Sequence, residues 1–407
     1  MCCVFIAQRL GYYHRFIHVA NLYLCRTILL RAVYYKETLG KGEIMNFNKV
    51  TNFINSLENI GIPGADIAIY LKGDEVFRHN FGYANINEKT PITTRTLYAI
   101  WSMTKVITCV SALRLFEEGR FLLSDPIHDY LPEFKAVEPI QIVDLFTMSA
   151  GLPYGHHMPK LAELEKRQNG FTITEFISAI SQGPLFGKPG QTYGYGHSHD
   201  VLCGLIEVLT GKTTGEYMYE EIFKPLEMQD TFFKVPLEKQ PRLAMMYTFD
   251  EEKRVHAISE SHDALKSLDF NAKYECGGGG LVSSVDDYAK FANALCFGGT
   301  AKNGHKLLGK ATIDMMRTNH LCDKRLQEYK KTMQNDGYGY GLGVRTMIEK
   351  NRGNNASLGS YGWSGLAGTQ VHIDPAIGLV YVYAQQLMPS KEGYVHPRLR
   401  SVVYGCL

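Results

Sequence analysis

Ser102-Met103-Thr104-Lys105 sets a hydroxyl and an amine three residues apart, at the head of a segment whose apolar positions predict a long amphipathic helix. Those positions are Ile107, Val110, Leu113 and Phe116, and Gly119 marks the stop. Residues i and i+3 share a helix face, so the Ser102 hydroxyl and the Lys105 amine fall within hydrogen-bonding reach. A lone serine is a poor nucleophile near neutral pH. A buried lysine beside it accepts its proton if desolvation brings the amine toward neutrality. The helix N-terminus adds free N–H groups and a positive field. The same four-residue pattern also occurs at ordinary solvated helix starts, so its meaning depends on the rest of the chain.

Upstream, the spacing of Val50, Phe53, Ile54 and Leu57 predicts a helix over Phe47 to Ile60. Ala65 to Leu71 and Val76 to Tyr83 then read as strands joined by a turn at Lys72-Gly73-Asp74. Downstream, from Leu122 to Phe270, short helices and loops prevail, with helices expected at Ile140–Ser149, Thr174–Ile180 and Asp200–Leu209. Past Gly277-Gly278-Gly279-Gly280 a helix is expected at Val285–Phe297, followed by strands at Leu342–Met347, Gly368–Ile373 and Leu379–Ala384. Strand-bearing ends around a helical middle predict an α+β fold. One antiparallel sheet flanked by helices would be built from residues 45–120 and 271–407, with an inserted, mostly helical domain at 121–270.

Composition narrows the function classes. Charged residues make up 21% of the 407, hydrophobic ones 45%, and the net charge is only +2, with no basic run for nucleic acid. Nine cysteines without a C-x-x-C pair argue against a disulfide framework or a zinc site and fit a reducing, cytoplasmic compartment. No uninterrupted apolar run approaches the ~18 residues of a membrane span. Residues 1–44 stand apart, with six basic side chains against Glu37 and Glu43, and they make neither a convincing signal peptide nor a span. Lys41-Gly42-Glu43-Ile44-Met45 can be encoded as AAA-GGA-GAA-ATA-ATG, which holds a purine-rich ribosome-binding sequence ahead of an ATG. Residues 1–44 are therefore expected to be translated leader, with native initiation at Met45; a genuine extension is the alternative.

Two further elements bear on chemistry. Tyr195-Gly196-His197 lies in a Gly-rich loop just before the Asp200 helix, where a phenolate beside a lysine ammonium is a credible general base. The bland alternative is a tyrosine packed at a domain seam. Gly362-Trp363-Ser364-Gly365-Leu366 precedes a strand, and its small residues let a substrate carbonyl approach backbone N–H groups, as an oxyanion hole requires. It also reads as a plain Gly-rich bulge. Gly196-His197-Ser198-His199-Asp200 nearly forms a G-x-S-x-G elbow or an H-x-H metal cluster, but Ser198 and Asp200 fit a helix cap and first turn better.

In this order and at these separations, Ser102-x-x-Lys105, Tyr195-Gly196-His197 and Trp363-Ser364-Gly365 resemble the active-site elements of the serine β-lactamase and penicillin-binding-protein superfamily. The likeness is nearest to class C β-lactamases and family VIII carboxylesterases, and it extends through Ile142–Leu152, Ile222–Met228 and Gly278–Ser284, over about Phe47 to Met388. The resemblance implies that Ser102 forms an acyl-enzyme, that Lys105 and Tyr195 share the proton, and that the Ser102 and Leu366 N–H groups hold the oxyanion. His197, Trp363, Ser364 and Gly365 would bind substrate, with no metal or other cofactor. Class C enzymes carry Tyr-x-Asn and Lys-Thr-Gly where this chain has Tyr-Gly-His and Trp-Ser-Gly. The missing lysine removes a cation for a β-lactam carboxylate, and Trp363 puts an apolar plane there instead.

The expectation is therefore a carboxylesterase acting on a small ester or amide, without nucleic acid or an obligatory membrane. A β-lactamase, a D-Ala-D-Ala peptidase-like amide hydrolase and an acyltransferase are the enzymatic alternatives. A catalytically silent peptide- or cell-wall-binding module is the non-enzymatic one.

Overall fold

The computed structural model describes residues 45–407 except 137, 168–169, 260–269, 334–335 and 353. The proposed leader lies outside the described residues. The chain divides into Met1–Phe47 with Cys406–Leu407, and Asn48–Gly405. Of the first unit, Met45 to Phe47 and the two C-terminal residues are described, as loop and turn.

Asn48–Gly405 is built on an eight-stranded antiparallel sheet. Its order is Thr90–Pro91, Asp74–Asn85, Gly64–Leu71, Leu379–Ala384, Gln370–Asp374, Tyr361–Ser364, Arg345–Met347 and Tyr338–Tyr340. The two ends of the chain meet at the centre, where Asp66 pairs with Ala384 and Leu71 with Leu379. The first hairpin turns on Lys72 (φ 54°) and Gly73 (φ 88°), two left-handed residues whose twist matches the flanking strands. Residues 64–69 and Leu379–Ala384 are buried throughout, because helices cover both faces of the sheet. On one face Val285–Cys296 packs against the central strands, and the Tyr361 hydroxyl donates to Leu295 O at 3.0 Å. On the other, His372 stacks on Tyr381 and bonds Tyr404 Oη at 2.9 Å, docking the C-terminal helix Glu392–Tyr404.

Several expectations change. The helix after Ser102, Thr104–Glu117, is not amphipathic: Thr104 through Leu113 and Leu115 are all buried, since it is wedged against Ser198–Thr210 inside the core. Its polar side chains are bonded internally, Thr108 Oγ1 to Gly277 O at 2.9 Å and Ser111 Oγ to Ile107 O at 2.8 Å. The helix expected at Ile140–Ser149 is only Ile142–Phe146, ending before the left-handed Met148 (φ 54°). The middle region also contains strands. Tyr247–Phe249 and Val255–Ala257 pair antiparallel, and Leu387–Met388 joins them in parallel. Among the described residues no helix is long and apolar enough to cross a membrane.

Candidate active site

Ser102 sits in a 3-10 turn, Trp101–Met103, that runs into the buried helix. Trp101 adopts φ 48°, a left-handed conformation costly for a bulky residue and held only where surroundings over-determine it. They do so here. Trp101 is buried with Ala99, Met246, Ile258 and Ala367, Ile100 N–H donates to Leu281 O at 3.0 Å, and Thr369 Oγ1 donates to Ile100 O at 3.1 Å. Gly365 closes the turn from the other side, where an added Cβ would lie 2.4 Å from Ile100 O, so only glycine allows that approach.

Lys105, one position into the helix, is completely buried. Its Nζ reaches Gly278 O at 2.5 Å, Tyr154 Oη at 3.2 Å and Ser102 Oγ at 3.4 Å, three acceptors for the three N–H bonds of an ammonium. It also lies 4.7 Å from the Tyr195 ring centroid and 5.2 Å from that of Tyr154. Burial pushes the amine down, but the phenols of Tyr154 and Tyr195 and the Asp200 carboxylate outweigh it and hold the group above the usual amine range. Desolvation alone would favour a neutral amine at Lys105, whereas its neighbours favour the cation.

Asp200 adds to that, after Tyr154 and Tyr195. It is buried at the first turn of Ser198–Thr210, and its Oδ1 accepts the Gly278 N–H at 2.9 Å. The Gly278 peptide therefore joins the carboxylate on its N–H side to the lysine on its carbonyl side. Burial raises the Asp200 carboxyl, yet the His197 contact, the Lys105 charge and the Tyr274 hydroxyl bring it down to about 2. A Cβ on Gly278 would stand 2.7 Å from Tyr154 Oη and 3.0 Å from Asp200 Oδ2, which is why the glycine run passes here.

Tyr195 lies opposite. Trp363, nearly fully buried, tips its ring against Tyr340 and donates Nε1–H to Tyr195 Oη at 3.2 Å. The indole is therefore more than the apolar plane expected from the sequence, because it supplies a polar donor to the phenol oxygen. Ser102, Tyr195, Trp363, Ser364, Gly365 and Leu366 line one cleft of about 520 Å³, together with Thr248, Met333, Met388, Pro389, Ser390 and Glu392. His197 is set apart from that lining. Its ring packs edge-on to Tyr154 at 4.6 Å and its Nδ1 lies 3.8 Å from Asp200 Oδ2.

A family model described as Beta-lactamase matches residues 50–404. The chain belongs to the beta-lactamase family. Among similar proteins, Protein Rv1367c of Mycobacterium tuberculosis is 28% identical over 372 residues, covering 85% of this chain and 91% of that protein. Protein flp of Staphylococcus aureus (strain MW2) is 29% identical over 186 residues, 44% of this chain and 36% of that one. Among solved structures, EstCE1, titled a hydrolase with promiscuous acyltransferase activity, superposes with a TM-score of 0.77 at 22% identity, covering 88% of this chain and 98% of the other. A family VIII carboxylesterase gives 0.71 at 21% identity over 89% and 97%. The simvastatin synthase LovD of Aspergillus terreus gives 0.73 at 22% over 88% and 97%.

Tyr154 and Asp200 are the residues of this beta-lactamase-family site that reading the sequence did not bring forward. Tyr154 directly follows the family-like segment ending at Leu152, the one signal that could have found it. Asp200 does occupy the first turn that the pattern predicts for it, but its partners come from Gly278 and His197. The cap itself is His197, and Ser198 is the first residue of the helix. Buried His199 faces the Phe146 carbonyl at 3.3 Å, and its imidazole is pushed down to about 3 by burial. Among the described residues no group of three or more His, Cys, Asp or Glu side chains could hold a metal ion.

Proposed function

We propose that this protein is a carboxylesterase that forms an acyl-enzyme on Ser102. The observation that carries this reading is the Lys105 ammonium within 3.4 Å of Ser102 Oγ, behind a cleft that Ser102, Tyr195 and Leu366 all line. The ester preference is supported by the cleft's charge. Among the described residues lining it there is no lysine or arginine to bind the carboxylate of a β-lactam or of a D-Ala-D-Ala terminus.

In the reactive state Lys105 is the ammonium and Tyr195 the phenolate. Ser102 Oγ attacks the ester carbonyl carbon while its proton passes to Tyr195 Oη, and the N–H groups of Ser102 and Leu366 take up the negative oxygen. Collapse breaks the bond to the alkoxide, which leaves with the Tyr195 proton. Water then attacks the acyl-enzyme, gives one proton to Tyr195, and Ser102 Oγ departs by taking it back. Trp363 Nε1–H and the Lys105 charge stabilise the negative charge on Tyr195 during both halves. An alcohol in place of water makes the same site an acyltransferase. The cytoplasm is the compartment proposed, since the six described cysteines are all free.

The test offers the protein short p-nitrophenyl esters and nitrocefin side by side. Ester turnover with the higher kcat/KM is expected, and the reverse ranking overturns the ester reading. A fluorophosphonate probe should label Ser102; a chain that is not labelled is a binding module.

A further inference from the structure

Among the described residues that line the cleft there is one carboxylate. Glu392 opens the C-terminal helix and lines the cleft with Ser390, Met388 and Leu366, its side chain about half exposed. The charged and titratable groups around it leave that charge uncancelled. His396 Nδ1 is 3.9 Å away, but burial pushes its imidazole down to about 3, so it is neutral. Lys391 lies outside the cleft lining, with its ammonium 4.6 Å from the Phe249 ring centroid. Lys105 is fully buried behind Ser102, beside the Asp200 carboxylate. A substrate group reaching from Ser102 toward the C-terminal helix therefore meets an acidic wall.

Resting on the acyl-transfer reading of Ser102, we propose that Glu392 makes this cleft selective for substrates that carry an ammonium, a protonated amine or a quaternary nitrogen, away from the scissile bond. Anionic substrates are rejected twice, because among the described lining residues no cation receives their carboxylate and Glu392 repels it. The preference is electrostatic and partly exposed to solvent. It is therefore modest and weakens as salt rises.

Three aryl boronic acids of closely similar shape test this apart from ester chemistry, since each adds reversibly through boron to a serine oxygen. They are 3-(trimethylammonio)phenylboronic acid, its neutral 3-tert-butyl counterpart and 3-carboxyphenylboronic acid. Affinities are read by protection of Ser102 from a fluorophosphonate probe, in the wild type, Glu392→Gln and Glu392→Lys. Dividing each value by that of the neutral compound removes any general effect of the substitution.

The cationic boronate should lose about threefold to fivefold in relative affinity in Glu392→Gln and more in Glu392→Lys, with the anionic one gaining in step. Relative affinities that do not move with either substitution overturn the proposal. Charge-ordered binding without hydrolysis of any ester overturns the esterase reading and leaves the selectivity standing. Ser102 that reacts with neither boronates nor probe overturns both.

Discussion

Asp200, which feels the Lys105 charge, and Asp66, in the central strand of the sheet, are equally buried, yet their carboxyls settle at about 2 and about 7. Burial raises both, so burial alone does not account for the gap. Asp200 receives the Gly278 N–H, faces His197 and feels the Lys105 charge. Asp66 has one strong partner, Arg78 Nη2 at 2.9 Å, and Arg78 also binds Asp286, whose own charge pushes Asp66 back up. Asn80 lowers Asp66 less than Arg78 does, and among the described residues Arg78 Nε has no hydrogen-bond partner. Charge in a protein interior is fixed by the number and exclusiveness of its partners, and the site region has more of them.

The largest break in this comparison is Lys105→Ala, which removes the cation that Asp200, Tyr154 and Tyr195 surround. The expected loss in ester kcat/KM is about a thousandfold or more, similar to Ser102→Ala, with the double variant little worse than either single one. Additive losses in steady-state kinetics would mean that the two residues do not act as a unit. Asp200→Asn keeps the shape and removes the charge, and should lower kcat/KM by about 10- to 100-fold together with the melting temperature. Full activity in that variant would detach Asp200 from the positioning of Lys105. Trp363→Phe keeps the ring and deletes the donor to Tyr195 Oη. A loss of about tenfold is expected, falling on kcat rather than KM, because the bond matters most when the phenol oxygen is charged.

Asp66→Asn should have the smallest effect on turnover, within about twofold, and should act instead on stability. The folded carboxyl holds its proton up to about pH 7, whereas the unfolded one releases it near 3.8. Between those values the folded state binds more protons, so this group's contribution is present below about pH 4 and is lost as pH rises through 7. Urea titrations at pH 4.5, 6 and 7.5 should show wild-type stability falling relative to Asp66→Asn across that window. Parallel curves would mean that Arg78 keeps Asp66 ionised.

The sequence made the local parts of this molecule legible. Ser102 with Lys105, Tyr195 and Trp363-Ser364-Gly365 are contiguous motifs on three elements, and the hairpin at Lys72-Gly73 announces its own turn chemistry. What stayed hidden depends on distant partners. Tyr154 is one tyrosine among 25, and its partner Lys105 is 49 positions away. In the helix Thr104–Glu117, apolar spacing alone does not reveal that Thr108 bonds the distant Gly277 carbonyl and Ser111 the Ile107 carbonyl one turn back. Tyr247–Phe249 is too short to display a period, and Pro397 masks the C-terminal helix. Asp323–Met333 buries only Tyr329, so little apolar stripe marks it.

The pairing of Asp66 with Ala384 has a consequence for the protein while it is being made. Ser102 emerges from the ribosome well before the strand that closes the sheet and the Gly365 that braces its turn. Until they leave the exit tunnel, Ser102 is an ordinary hydroxyl on an unfinished chain. The Ser102 turn is thereby braced only once the later strands have been made, and a product terminated before them carries the whole Ser-x-x-Lys motif without its frame.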